Sequence, residues 1–122
     1  MFFKSTEEVP AFVAGDATYL RELLHPKNDG FESNYSLVHA ELASGEQSYP
    51  HILEAQSELY YFLEGEGEIY IGKEKKAVKV GDLALIRKGE KQFVINTGTS
   101  PLRFLCVVSP PWSEADEVII ES

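Results

Sequence analysis

The stretch from Gly45 to Gly65, GEQSYPHILEAQSELYYFLEG, decides the fold. It sets polar and ionisable side chains inside runs that otherwise read as strand. Residues two apart on a strand point to the same face, so His51 pairs with Leu53, and Glu58 with Tyr60 and Phe62. A second stretch from Gly81 to Asn96, GDLALIRKGEKQFVIN, repeats the pattern with Gln92, Val94 and Asn96 on one face. If these faces line a barrel interior, His51, Glu58 and Gln92 converge there. A histidine and a carboxylate so placed either act on a ligand or ion, or pair with each other, because a lone buried charge is costly.

Around these two stretches, runs rich in β-branched and aromatic residues alternate with turn chemistry from Tyr35 onward. The runs read as strands are 35–42, 48–53, 58–63, 68–71, 77–80, 83–87, 92–96 and 102–108. Glycine-bearing turns such as Glu64-Gly65-Glu66-Gly67, Gly81-Asp82 and Lys88-Gly89 separate them. Short strands with turns at such close spacing predict an all-β jelly-roll barrel of mostly antiparallel strands, with helix confined to the termini. Before Tyr35 the pattern is ambiguous. Tyr19, Leu20, Leu23 and Leu24 fit a short helix, whereas Thr18, Leu20, Glu22 and Leu24 alternate, and a strand ending before Pro26 is the preferred reading. His25 reads as an ordinary surface residue. Pro110-Pro111 stops pairing, and Trp112 is expected to pack over a barrel end. The chain therefore divides into an N-terminal segment packing on the barrel (1–34), the barrel (35–108) and a C-terminal tail (109–122).

Composition bounds the function. A chain of 122 residues holds one domain with its own core. With 11 Lys and Arg against 20 Asp and Glu, its formal charge is −9, which repels phosphate backbones and anionic lipid, so nucleic acid and membranes are excluded as expected partners. The single cysteine, Cys106, cannot form an internal disulfide and sits in an apolar run, as a small core residue does. No apolar stretch approaches the ~20 residues of a membrane span, no secretory signal is read at the N-terminus, and a cytoplasmic location is the expectation.

Residues 35 to 108 resemble the cupin family. Its first motif is a glycine, five residues, His-x-His, three or four residues, a glutamate, six residues and a glycine, and Gly45, His51, Glu58 and Gly65 fall at those spacings. Its second motif is matched by Gly81, Gly89 and Asn96. The departures are Leu53 at the second histidine, Arg87 at the proline and Gln92 at the last histidine. The resemblance implies a double-stranded β-helix. It also implies a divalent transition metal, often Fe, Mn, Ni or Zn, held by three histidines and the glutamate, of which only His51 and Glu58 keep their usual residue types. Gln92 would be a weaker amide ligand, and Leu53 removes a donor. His39 is a candidate replacement. If it faces inward, His39, His51 and Glu58 give two imidazoles and a carboxylate, the ligand set of non-haem Fe(II) oxygenases.

The expected site therefore comprises the metal ligands His51, Glu58, Gln92 and His39, with Tyr60, Phe62, Leu53 and Asn96 lining the pocket. The expected function is binding of a divalent metal and a small polar organic ligand, as in a metal-dependent dioxygenase or isomerase. A sugar or small-molecule binding module without turnover, and a scaffold with a vestigial metal site, remain alternatives. A homodimer is expected because Leu59, Tyr61, Phe93 and Ile95 occupy strand faces opposite the pocket and need cover.

Overall fold

The computed structural model describes residues 1–120. Among the described residues, besides two single 3-10 turns at Thr6–Glu8 and Glu114–Asp116, eleven strands and one short α-helix follow in chain order. They are β1 (Ala11–Val13), β2 (Tyr19–Leu24), α1 (Pro26–Asp29), β3 (Ser36–Leu42), β4 (His51–Leu53), β5 (Ser57–Glu64), β6 (Glu66–Ile71), β7 (Glu74–Lys79), β8 (Leu83–Ile86), β9 (Lys91–Asn96), β10 (Leu102–Ser109) and β11 (Glu117–Ile119). One sheet has the order β1-β2-β3-β10-β5-β8 and the other β11-β4-β9-β6-β7. All pairings are antiparallel. The result is a mostly β protein of two facing sheets, a double-stranded β-helix.

Strand alternation builds the core. Along β10, Leu102, Phe104, Cys106 and Val108 turn inward while Arg103, Leu105 and Val107 turn out. On β5, Glu58, Tyr60 and Phe62 turn inward, and on β9 Gln92, Val94 and Asn96 do so. The rings of Tyr60, Phe62 and Phe104 pack together with centroids 5.2 to 6.2 Å apart. Leu42, Ile69, Ile86, Val94 and Leu102 belong to the same cluster. Tight contact at its edge requires glycine. A Cβ on Gly67 would lie 2.4 Å from the Ile95 carbonyl oxygen, and Gly65 has φ +84° with the Pro101 carbonyl 2.5 Å from where its Cβ would stand.

The termini belong to the sheets. β1 and β2 extend the six-stranded sheet beyond β3, and β11 edges the other beside β4. Residues 19–24 form a strand, in keeping with the alternating reading, and the helix that follows is one turn long. His25 differs from the surface position expected of it. It is buried, accepts from Lys27 N–H at 3.2 Å through Nδ1 as the cap of α1, and donates from Nε2 to the Trp112 carbonyl at 2.7 Å. Its burial comes from the return of the C-terminal segment, which local sequence does not encode. Among the described residues no helix is long and apolar enough to cross a membrane.

Candidate functional site

The large inward side chains fill only part of the space between the sheets. Where β2, β3, β10 and β5 face β4 and β11, small or polar residues such as Ser36, Ala40, Cys106 and Glu58 replace them, and a cavity of about 120 Å³ remains. His51 and Leu53 from β4, and Glu58 and Tyr60 from β5, line it.

His51 is 2 % exposed. Its Nδ1 lies 2.9 Å from the Tyr49 carbonyl oxygen, and because a carbonyl only accepts, Nδ1 carries the proton. In the neutral ring Nε2 then keeps its lone pair. Nε2 is 3.8 Å from Asp16 Oδ2.

Glu58 is 8 % exposed, and its Oε1 is buried without a hydrogen-bond partner. Burial first, and then the Asp16 charge, push its pKa from 4.5 up to about 8, against opposing contacts with Cys106 and Gln92, and Glu117 adds to the rise. Glu58 is therefore mostly protonated at neutral pH. Burial also raises the Cys106 thiol and the Tyr60 hydroxyl, so both stay neutral. Gln92 is paired with His51 across β4 and β9, and its Oε1 accepts from the Tyr60 hydroxyl at 2.6 Å, joining the two sheets through the interior.

Several expected residues stand elsewhere. His39 lies on β3 between Val38 and Ala40, which line the cavity, and therefore turns to the outer face. There it pairs with Leu105 and Arg21, and burial together with the Arg21 and Arg103 charges lowers its pKa. Phe62 lies in the packed cluster. Asn96 is a turn brace: its Nδ2 donates to the Leu42 and Ser100 carbonyls and its Oδ1 accepts from Gly98 N–H.

Two carboxylates enter the cavity from segments that the motifs do not cover. Asp16 sits in the turn between β1 and β2, where Oδ1 accepts from the Thr18 N–H and hydroxyl at 3.1 and 2.5 Å. The Tyr49 N–H donates to the Asp16 carbonyl at 2.7 Å, which holds this turn against the strand carrying His51. Glu117 on β11 accepts from the Trp112 indole at 3.2 Å. Burial raises its pKa, opposed by the indole and by His51, with Asp16 adding to the rise. The one sequence signal for Glu117 was the acidic run after Trp112, which equally suits an exposed tail.

These residues do not fit the four-donor metal site that the resemblance implies. Leu53 offers no donor, His39 is on the wrong face, and the amide oxygen of Gln92 is engaged by Tyr60. Among the described residues no three His, Cys, Asp or Glu side chains are gathered as one ion requires.

A family model described as the cupin domain matches residues 38–108. The chain belongs to the cupin superfamily. This cupin is 34 % identical over 115 residues to an uncharacterized protein of Methanocaldococcus jannaschii, covering 94 % of this chain and 91 % of that one. It is 36 % identical over 58 residues, 48 % of either chain, to the oxalate-binding protein of Thermotoga maritima. Among solved structures it resembles a predicted oxalate decarboxylase from Thermotoga maritima, with TM-score 0.80 and 22 % identity over 89 % of this chain and 99 % of that one. It also resembles Pac13, a nucleoside dehydratase of Streptomyces, with TM-score 0.79 and 16 % identity over 99 % of this chain and 92 % of that one. At these identities the two structural likenesses are likenesses of fold.

Proposed function

We propose that this cupin binds a small organic molecule in the cavity between its sheets, with Glu58 and His51 as the polar anchors. The observation that carries this reading is the unpartnered, buried Glu58 Oε1 beside an open cavity. A polar atom left without a partner in the interior costs about 1–3 kcal/mol, and a ligand hydrogen bond removes that cost. A protonated Glu58 offers a donor as well as an acceptor, and His51 Nε2 offers an acceptor when neutral. The named ligands of the relatives, oxalate and uridine, support small-molecule binding as the shared use of the fold. Amide chemical-shift mapping with a fragment set tests the reading. Shifts should cluster on β4, β5 and β10 around the cavity, and their absence there, or a cluster elsewhere, refutes it.

A second reading is retention of one divalent transition metal, Fe, Mn, Ni or Zn, by His51 and Glu58. It is favoured by the unpartnered Glu58 Oε1 and by His51, which lines the same cavity. Elemental content after loading decides it: His51→Ala should abolish retention and Leu53→His should strengthen it. A wild-type protein that holds no metal after loading refutes this reading.

Self-association supplies the cover that the outer sheet face lacks. Tyr61, Leu63, Leu83 and Leu85 are 40, 39, 59 and 50 % exposed, and strand register sets Tyr61 beside Leu83 and Leu59 beside Leu85. Phe93 and Ile95 belong to the other sheet, where Phe93 stacks on Tyr70 at 4.3 Å. The proposed homodimer therefore forms through the six-stranded sheet, and a monomer by sedimentation at micromolar concentration would refute it.

A further inference from the structure

We propose that the cavity selects a small cationic ligand, an organic amine whose ammonium group sits among the carboxyl groups of Asp16, Glu58 and Glu117. The inference rests on the binding reading above and adds the charge class of the ligand. Three observations carry it. The three carboxyl groups come from separate elements, the β1–β2 turn, β5 and β11, yet line one cavity. Among the described residues lining that cavity there is no lysine or arginine. Finally, Glu58 Oε1 is unpartnered and more than nine-tenths buried.

Ammonium chemistry matches this wall. A primary ammonium has three N–H donors and no acceptor, and the cavity wall carries carboxyl acceptors from three separate elements. Glu58 feels the charges of both Asp16 and Glu117, and Glu117 feels that of Asp16, so this negative field favours an entering cation and lets Glu58 ionise beside it. The other ionisable residues in the wall do not reverse the sign. His25 spends its Nε2–H on the Trp112 carbonyl, and Glu22 accepts from Asn28 Nδ2 at 2.7 Å. His51 lies beside Asp16, and its neutral form adds a further acceptor. Leu20, Val38, Phe104 and Val108 are among the apolar residues that also line the cavity, and they suit a short hydrocarbon body. An anion such as oxalate would enter the same space against like charge, with no fixed cation to offset its desolvation.

The test uses the full chain freed of metal by chelation and dialysis, at neutral pH. It is titrated separately with isobutylamine, isobutanol, isobutyrate and oxalate while backbone amides are followed. The amine should shift the amides of Asp16, Glu58 and Glu117 and bind at least about tenfold more tightly than isobutyrate, with no oxalate binding. Asp16→Asn, which keeps the side-chain oxygen that Thr18 uses, and Glu117→Gln should each weaken the amine and leave the alcohol unchanged. If isobutyrate, oxalate or isobutanol binds as tightly as the amine, the charge inference falls while the binding reading stands. If none of the four shifts a cavity amide, both fall.

Discussion

Replacing Glu58 by glutamine keeps the shape of the side chain and removes its ionisation, so the variant isolates what a buried carboxyl does to stability. Below pH 4.5 the wild-type group is protonated in the folded and unfolded chains alike and adds no ionisation cost. Between 4.5 and about 8 the unfolded chain ionises it while the fold, through burial and the Asp16 charge, keeps it protonated. The unfolded state then binds fewer protons, so wild-type stability falls by about 1.4 kcal/mol for each pH unit. The loss reaches about 3 kcal/mol near pH 7 and levels off at about 5 kcal/mol once the folded-state carboxyl also ionises. Urea denaturation of metal-free wild type and Glu58→Gln at pH 5, 6, 7, 8 and 9 measures the difference directly. Glu117, which is raised as well, and His39, whose lowered pKa makes stability fall as pH falls instead, contribute to both proteins and largely cancel. The stability of Glu58→Gln relative to wild type should climb from pH 5 to about pH 8 and level off by pH 9. A difference that does not change with pH, or that shrinks as pH rises, would show that Glu58 is not held protonated by the fold.

Asn96→Ala should destabilise the chain by about 2–4 kcal/mol, since it removes three hydrogen bonds and leaves the buried Leu42 carbonyl short of a partner. Because Asn96 does not reach the cavity, ligand-induced shifts of Glu58 and His51 should survive in the folded fraction, and their loss would contradict a purely structural role. Gly67→Ala drives a Cβ to within 2.4 Å of the Ile95 backbone oxygen and 2.9 Å of a Leu102 methyl, and should cost about 3 kcal/mol of unfolding free energy in urea denaturation. A neutral outcome there would mean that β6 and β9 have room to separate.

The sequence by itself determined the barrel and the floor of its pocket. Spacings from Gly45 through His51 and Glu58 to Gly65, and from Gly81 through Gly89 to Asn96, mark where turns fall, and the two-residue period assigns faces within a strand. Those are local properties, so the common inward face of Glu58, Tyr60 and Phe62 and the core position of Cys106 were legible at once. Parity does not say which of a strand's two faces meets the other sheet. Neighbours across space fix that choice, and the pairing of β3 between β2 and β10 turns Val38 and Ala40 inward and His39 out.

Nor does spacing say how far the interior is filled. Asn96 and Phe62 share the inward faces of the site residues, but turn bracing and aromatic packing claim them because the bulky side chains of both sheets meet at their end of the barrel. Asp16 and Glu117 join His51 and Glu58 because a backbone hydrogen bond from Tyr49 to Asp16 and the pairing of β11 with β4 carry distant ends of the chain to one place. The acidic character of the cavity is therefore a tertiary property. Carboxyl groups a hundred residues apart feel one another's charge only after the sheets have closed and removed the water between them.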